Sequence, residues 1–374
     1  MKKSGKILLL FLLCIASIML SGFSAFAAEY DEQTPCFKAN GTEDVRVSSR
    51  FFELIFGKDK EEDRTDGNST SGAAAERLIV GGDVFGARIK QSHPTVSDAG
   101  GYSQLRCGDI IMKANGKDIT SADDLAQIAG SCGGETINLT VKRGDASIGV
   151  ALTPMANGNE YTLPISVRDG AAGIGTITYI DPESGEFGGL GHGISDADNG
   201  QIIEIRDGCV TDVILGSVQK GESGKPGELC GILTDRISGE IYLNTGVGIF
   251  GKLTKIPDGA KVVEVADRDE VRCGEATIIC TLKNGKKGEY KIEIFDIDKD
   301  SSGTKSFKIK ATDPALIAVS GGIVRGMSGS PIIQGGKLIG AVTHVMVADP
   351  TEGYGIFIEN MLSATQGQAQ PKAA

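Results

Sequence analysis

Gly326-Met327-Ser328-Gly329-Ser330-Pro331 sets a serine between glycines and runs straight into Ile332-Ile333. A serine hydroxyl becomes a nucleophile when a tight turn presents its Oγ and backbone N–H groups converge beside it. Gly326, two residues ahead, has the freedom to aim its own N–H, together with that of Ser328, at a developing oxyanion. Such a serine needs a general base, and the chain has three histidines. His192 lies in the glycine-dense Gly189-Leu190-Gly191-His192-Gly193-Ile194, ahead of the serine; His344 follows the serine on an apolar return segment; His93 stands beside Pro94. The open turn makes His192 the first choice of base and His344 the alternative. The acid that would orient the imidazole is less determined. Asp313, in Ala311-Thr312-Asp313-Pro314, precedes Ser328 by fifteen positions, while Asp196, Asp207 and Asp212 lie nearer His192. The chemistry is acyl transfer, and it calls for no cofactor. No CxxC pair or other metal-ligand cluster is visible, and the seven cysteines beyond Cys14 signal no disulfide framework.

Positioning these groups falls to short strands. With 53 glycines in 374 residues, no tryptophan and 5% aromatic residues, the composition suits tight turns between strands better than a helical bundle. Apolar and polar residues alternate in 174–180, 201–205, 240–243, 276–282 and 290–294, and Asn284-Gly285 signals a hairpin. The region 155–362 therefore reads as a β-barrel or sandwich. Ahead of it, 77–154 combines strands with one helix. Gly108 to Ala114 reads as a strand closed by Asn115-Gly116, and Ser121 with Asp124 opens a helix whose apolar face holds Leu125, Ile128 and Ala129. This stretch, CGDIIMKANGKDITSADDL above all, resembles a PDZ domain of the bacterial protease-associated kind. The resemblance implies that Val84, Phe85, Gly86 and Ala87 form the loop whose amides hold a peptide's terminal carboxylate beside an exposed strand edge.

The N-terminus has the pattern of an export signal. Lys2, Lys3 and Lys6 precede an almost wholly apolar 7–23, and Ala25-Phe26-Ala27 offers a small-x-small cleavage pattern. The segment 1–28 thus reads as a signal peptide or a membrane anchor, followed by 29–76, of which 57–76 is a charged, then Ser/Thr/Gly/Ala-rich linker. Residues 363–374 read as a polar tail. A net charge of −11 without a basic stripe argues against nucleic acid as a partner.

The Gly-x-Ser-Gly-small-Pro hairpin is similar to the nucleophile hairpin of chymotrypsin-like peptidases, which implies that the N–H groups of Gly326 and Ser328 form the oxyanion hole. More specifically, GGLGHGISD and GGIVRGMSGSPIIQGGKLIGAVTHVMVADPTEGYGIFIENML, with the PDZ-like segment upstream, resemble the stage IV sporulation protein B family of serine peptidases. That resemblance implies a triad of His192, Asp313 and Ser328 on a chymotrypsin-like barrel. It also implies export across the forespore membrane into the intermembrane space and self-processing near the N-terminus. The implied substrate is a membrane-bound inhibitor of an intramembrane protease, whose cleavage leads to late sigma-factor activation. The alternative is a PDZ adaptor whose peptidase domain is degenerate and only binds.

Overall fold

In the computed structural model, residues 38–39, 77–158, 160–282 and 285–365 are described. The expected leader, the 57–76 linker and the tail beyond Thr365 lie outside them. None of the described helices is long and apolar enough to cross a membrane.

Two antiparallel six-stranded barrels make up the body. In the first, Val84–Asp98 pairs with Ser166–Ile180, and the ring continues through Glu186–Gly189, Gly248–Leu253, Glu228–Thr245 and Ile205–Gln219 back to Val84–Asp98. Alternate residues Phe85, Ala87 and Ile89 turn inward, where they meet Ile177, Phe187, Val210, Ile241 and Ile249. The second barrel runs Gly274–Thr281, Lys287–Ile297, Phe307–Ala311, Glu352–Phe357, Lys337–Val345 and Pro331–Gln334 before closing on itself. Its filling repeats the period of two: Ile278 and Cys280, Ile292 and Ile294, Phe307 and Ile309. Each such side chain contributes on the order of 1.5–3 kcal/mol by leaving water, and closure leaves neither barrel a bare edge. Between the barrels lies a shared apolar seam, with Leu78, Val80, Tyr179 and Phe250 on one side and Ile333, Leu338, Ala341 and Ile356 on the other.

A smaller α/β unit occupies the connection between Val84–Asp98 and Ser166–Ile180. Its strands Ile110–Ala114, Ile137–Arg143 and Ala146–Leu152 pack the helix Ala122–Ser131 over a core of its own, including Ile111, Ile119, Leu125, Ile137, Leu139 and Leu152. Asn115 and Gly116 both take positive φ, 49° and 81°, as the hairpin turn requires. Ser121 Oγ caps the helix by accepting from Asp124 N at 3.1 Å, while Asp124 Oδ2 accepts from Thr120 N at 2.9 Å. The reciprocal cap is thus shifted by one residue from the pattern read in the sequence.

Three expectations are corrected. The boundary at 77 is wrong, because Arg77–Val80 pairs with the first-barrel strand Ser166–Ile180 and most of Val84–Asp98 belongs to that barrel; the extra unit is inserted into the barrel rather than preceding it. Consequently Val84, Phe85, Gly86 and Ala87 form no carboxylate-holding loop. They lie mid-ladder, with Gly86 paired to Ile174 on one side and Thr211 on the other, and Phe85 and Ala87 are buried. Finally, 201–205 is not a strand: Ile202 forms an isolated bridge with Ser195, and the ladder begins at Ile205.

Candidate active site

Ser328 sits on the turn leading into Pro331–Gln334, with Gly326 and Gly329 at φ 92° and 93° on either side. The turn is tied internally by Ser330 N to Met327 O (2.9 Å) and to the return strand by Gly329 N to Val342 O (2.7 Å). A Cβ at Gly329 would lie 2.0 Å from Thr176 O, so only glycine allows this approach to the first barrel. The first barrel grips the turn through alternate residues of one strand. Thr176 N donates to Ser328 O and Thr176 Oγ1 to Gly326 O, both at 2.9 Å, and Thr178 Oγ1 donates to Gly329 O at 2.8 Å. Among the described residues, neither Gly326 N nor Ser328 N donates to a protein acceptor, which leaves both N–H groups for an incoming oxyanion.

His192 follows Glu186–Gly189 through a sharp bend in which Leu190 and Gly191 take φ 65° and 68°. Left-handed leucine costs roughly 1–2 kcal/mol; the buried Leu190 side chain, packed in the first-barrel core, and its N–H bond to Thr176 O (3.2 Å) hold it there. Gly191 faces the second barrel, where a Cβ would lie 3.0 Å from Thr343 Cγ2. His192 Nδ1 is 2.9 Å from Gly193 O. A carbonyl only accepts, so Nδ1 carries the proton and the neutral ring keeps its lone pair on Nε2, the tautomer a base needs. Burial lowers the His192 pKa and the bond to Gly193 O opposes it, with a net depression. The imidazole is therefore neutral near pH 7.

The two barrels bring these residues together at their junction. Ser328 Oγ donates to Thr343 O at 2.8 Å, and the next residue, His344, places its ring centroid 5.3 Å from that of His192. Ser328 and His192 are 6% and 7% exposed, so this is a closed site. The Ser328 hydroxyl is directed at Thr343 O in this arrangement.

The candidate acids stand elsewhere. Asp313 is the N-cap of the helix Pro314–Ser320: Oδ1 accepts from Ala315 N and Leu316 N at 2.8 and 3.4 Å, and Oδ2 from Lys291 N at 3.2 Å. Held by these three backbone amides, the carboxylate makes no bond to His192, unlike the expected triad. Asp196 folds its own loop, accepting from Asp198 N and Asn199 N, and lies 3.8 Å from Arg168. Asp212 pairs with Arg236 at 3.3 Å, and Asp207 is exposed on the ladder. What meets Nδ1 is the Gly193 carbonyl. Sequence reasoning missed Thr176, Thr178 and Asn244, which makes three bonds to the loop after His192. The Thr-Ile-Thr alternation was a usable signal for the threonines. Among the described residues, no group of three or more His, Cys, Asp or Glu is placed to hold a metal.

Comparison with protein families gives one match that covers more than half of the chain: the family described as SpoIVB peptidase S55 fits residues 159–362. The chain belongs to that family. It is a serine peptidase, mainly β, with Ser328 and His192 inside the matched region. A search of curated proteins finds no match. Solved structures with detectable likeness include the Rv3671c protease of M. tuberculosis in its active form, at 14% identity and TM-score 0.31 over 54% of this chain and 78% of that one. The inactive form of Rv3671c gives 13% identity and 0.30 over 52% and 84%, and the HtrA-type protease AlgW with a decapeptide gives 12% and 0.32 over 56% and 54%. Overlaps this weak carry nothing beyond the family match.

Proposed function

We propose that this chain is an exported serine endopeptidase of sporulation signalling, in which Ser328 is the nucleophile and His192 the base. The observation that carries the chemistry is the meeting of the glycine-flanked Ser328 turn with an Nδ1-protonated His192 at the junction of two barrels. Ser328 Oγ forms the bond to the peptide carbonyl carbon as its proton passes to His192 Nε2. The carbonyl oxygen becomes the oxyanion and is received by Gly326 N and Ser328 N. Collapse breaks the C–N bond, and His192 returns the proton to the leaving amine. A water then repeats the sequence on the acyl-enzyme, releasing the acid and restoring Ser328.

The proposed substrate is a membrane-bound inhibitor of an intramembrane protease, reached after export across the forespore membrane, with late sigma-factor activation as the consequence. Self-processing in 57–76 belongs to the same proposal. Support for this part is the family and the N-terminal pattern of Lys2, Lys3, Lys6 and the apolar 7–23.

One variant tests the chemistry. Ser328→Ala should abolish hydrolysis and fluorophosphonate labelling in protein that still folds, and should leave the protein unshortened where the wild type is cut. Hydrolysis by the folded variant, or a wild type that never labels, refutes the reading and favours an adaptor.

A further inference from the structure

Glu228–Thr245 is longer than the barrel it helps to close. From Gly239 onward its outer edge pairs with Gly248–Leu253. At its other end Glu228 bridges Arg325, and Leu229 N donates to Arg325 O at 2.9 Å. Between these two attachments runs 230–237, paired on its inner side to Ile205–Gln219. On its outer side it meets one strand among the described residues, Lys38–Ala39, which lies parallel to it with Lys38 opposite Ile232 and Ala39 opposite Leu233.

We propose that 230–237 is a strand-addition site on the catalytic body, and that its occupant is the N-terminal segment of the same chain around Lys38–Ala39. A strand edge with unmade backbone bonds is a template for a further strand, and an apolar one invites a second copy. This stretch is of that kind. Ile214 and Ile232, register partners across the ribbon, are 63% and 37% exposed, and Ile237 is 62% exposed. A docked strand is held chiefly by main-chain bonds, so the site asks for an extended segment more than for particular side chains. The same chain supplies one at high local concentration. From Ala39 the chain runs through 40–76 to Arg77–Val80, which pairs with Ser166–Ile180 of the first barrel. The N-terminal segment is thereby fixed to the catalytic body at two places, and 40–76 spans between them rather than trailing from one. The proposal rests on strand pairing alone and holds whatever reaction Ser328 performs.

Two native cysteines test the register. Carried two residues back, the pairing would set Cys36 beside Cys230. Adjacent strands lie about 4.8 Å apart, within the roughly 4.4–6.8 Å between Cα atoms that a disulfide spans. A slip of one residue would turn the two sulfurs to opposite faces. Cys230 is 8% exposed, so it links to a thiol lying against it and not through chance collision. Full-length Ser328→Ala protein, which cannot cut itself, is treated with diamide and mapped by mass spectrometry. Diamide takes up the two protons and two electrons released as the S–S bond forms. The expected result is a Cys36–Cys230 link within monomeric protein, absent after Cys36→Ser or Cys230→Ser. Lys38→Pro with Ala39→Pro removes both backbone donors of the added strand and leaves the barrel sequence intact. That double variant should lower the yield of the link about tenfold or more. Absence of the link in the parent protein, or equal yield in the double-proline variant, overturns the proposal. Mixing the Cys36→Ser and Cys230→Ser proteins allows a link only between two copies. A yield there equal to that of the parent would make the occupant a second copy and overturn it as well.

Discussion

Thr176→Val isolates the hold that one barrel has on the nucleophile turn of the other. The two side chains have nearly the same shape, and the backbone bonds from Thr176 N to Ser328 O and from Leu190 N to Thr176 O are kept. What disappears is the hydroxyl bond to Gly326 O, 2.9 Å long and buried, at a residue 1% exposed. Gly326 O then has no donor, which costs about 1–3 kcal/mol. For a protein of this size that is a fall in Tm of roughly 1 to 5 °C. The larger effect is on catalysis. In the proposed mechanism Gly326 bears one of the two oxyanion donors, and freeing its carbonyl lets the donor turn away. Since one such donor is worth about 10²–10³ in kcat, partial loss of aim should lower kcat about 10- to 100-fold with KM nearly constant. Thr178→Val is the control. It removes an equivalent buried bond, to Gly329 O at 2.8 Å, beyond the nucleophile rather than before it. Its Tm should fall comparably and its kcat less. Steady-state kinetics on a peptide substrate and calorimetry read both quantities. A Thr176→Val enzyme with kcat within about threefold of wild type, or a Thr178→Val enzyme equally impaired, would refute the link between this tether and the oxyanion donor.

Asp313→Ala should lower stability by about 0.5–2 kcal/mol through loss of the N-cap, whereas Asp313→Asn, which can still cap but cannot also accept from Lys291 N, should lose less; equal melting losses would refute the cap. A drop of about 10⁴ in kcat for the asparagine variant at unchanged Tm would instead return the carboxylate to the triad. Because burial holds His192 below the ordinary imidazole value of 6.5, the base stays neutral down to slightly acid pH, and kcat/KM should lose activity only below 6.5. The sign for stability follows from the same depression. Between 6.5 and the lower folded value the unfolded chain binds more protons, so the His192 contribution is intact above 6.5 and is lost as pH falls through the folded value. A half-activity point above 6.5 would contradict the burial argument.

The turns that carry Ser328 and His192 were legible because their geometry imposes glycine: positive φ at Gly326, Gly329 and Gly191 leaves a mark in the sequence itself. The β character showed through alternation, as at Ile292 and Ile294. The boundary of the inserted unit did not show, because Val84–Asp98 serves the barrel with one end and pairs, at Thr95, with Ile110 of the insert at the other. One continuous strand has no composition break to read. Asp313 carried a helix-start signal that the sequence reading passed over, since Asp-Pro before Ala-Leu-Ile is a cap followed by proline at the first helical position. Asn244 left no trace, because its partners are backbone atoms 41 and 50 residues away and impose no side-chain pattern.

The insertion leaves the first barrel at Asp98 and comes back at Ser166, and these two residues are register partners across the antiparallel ladder. The barrel therefore sees the whole excursion as the tip of a hairpin, and a turn of about two residues could bridge the gap. Such a module is a graft: it can be excised, lengthened or exchanged without altering the connectivity of the barrel strands. It is also captive. A single nick anywhere along the graft leaves both cut ends fastened to the ladder, so the unit cannot be shed from the catalytic body by one proteolytic event, as a module on an end-to-end linker could.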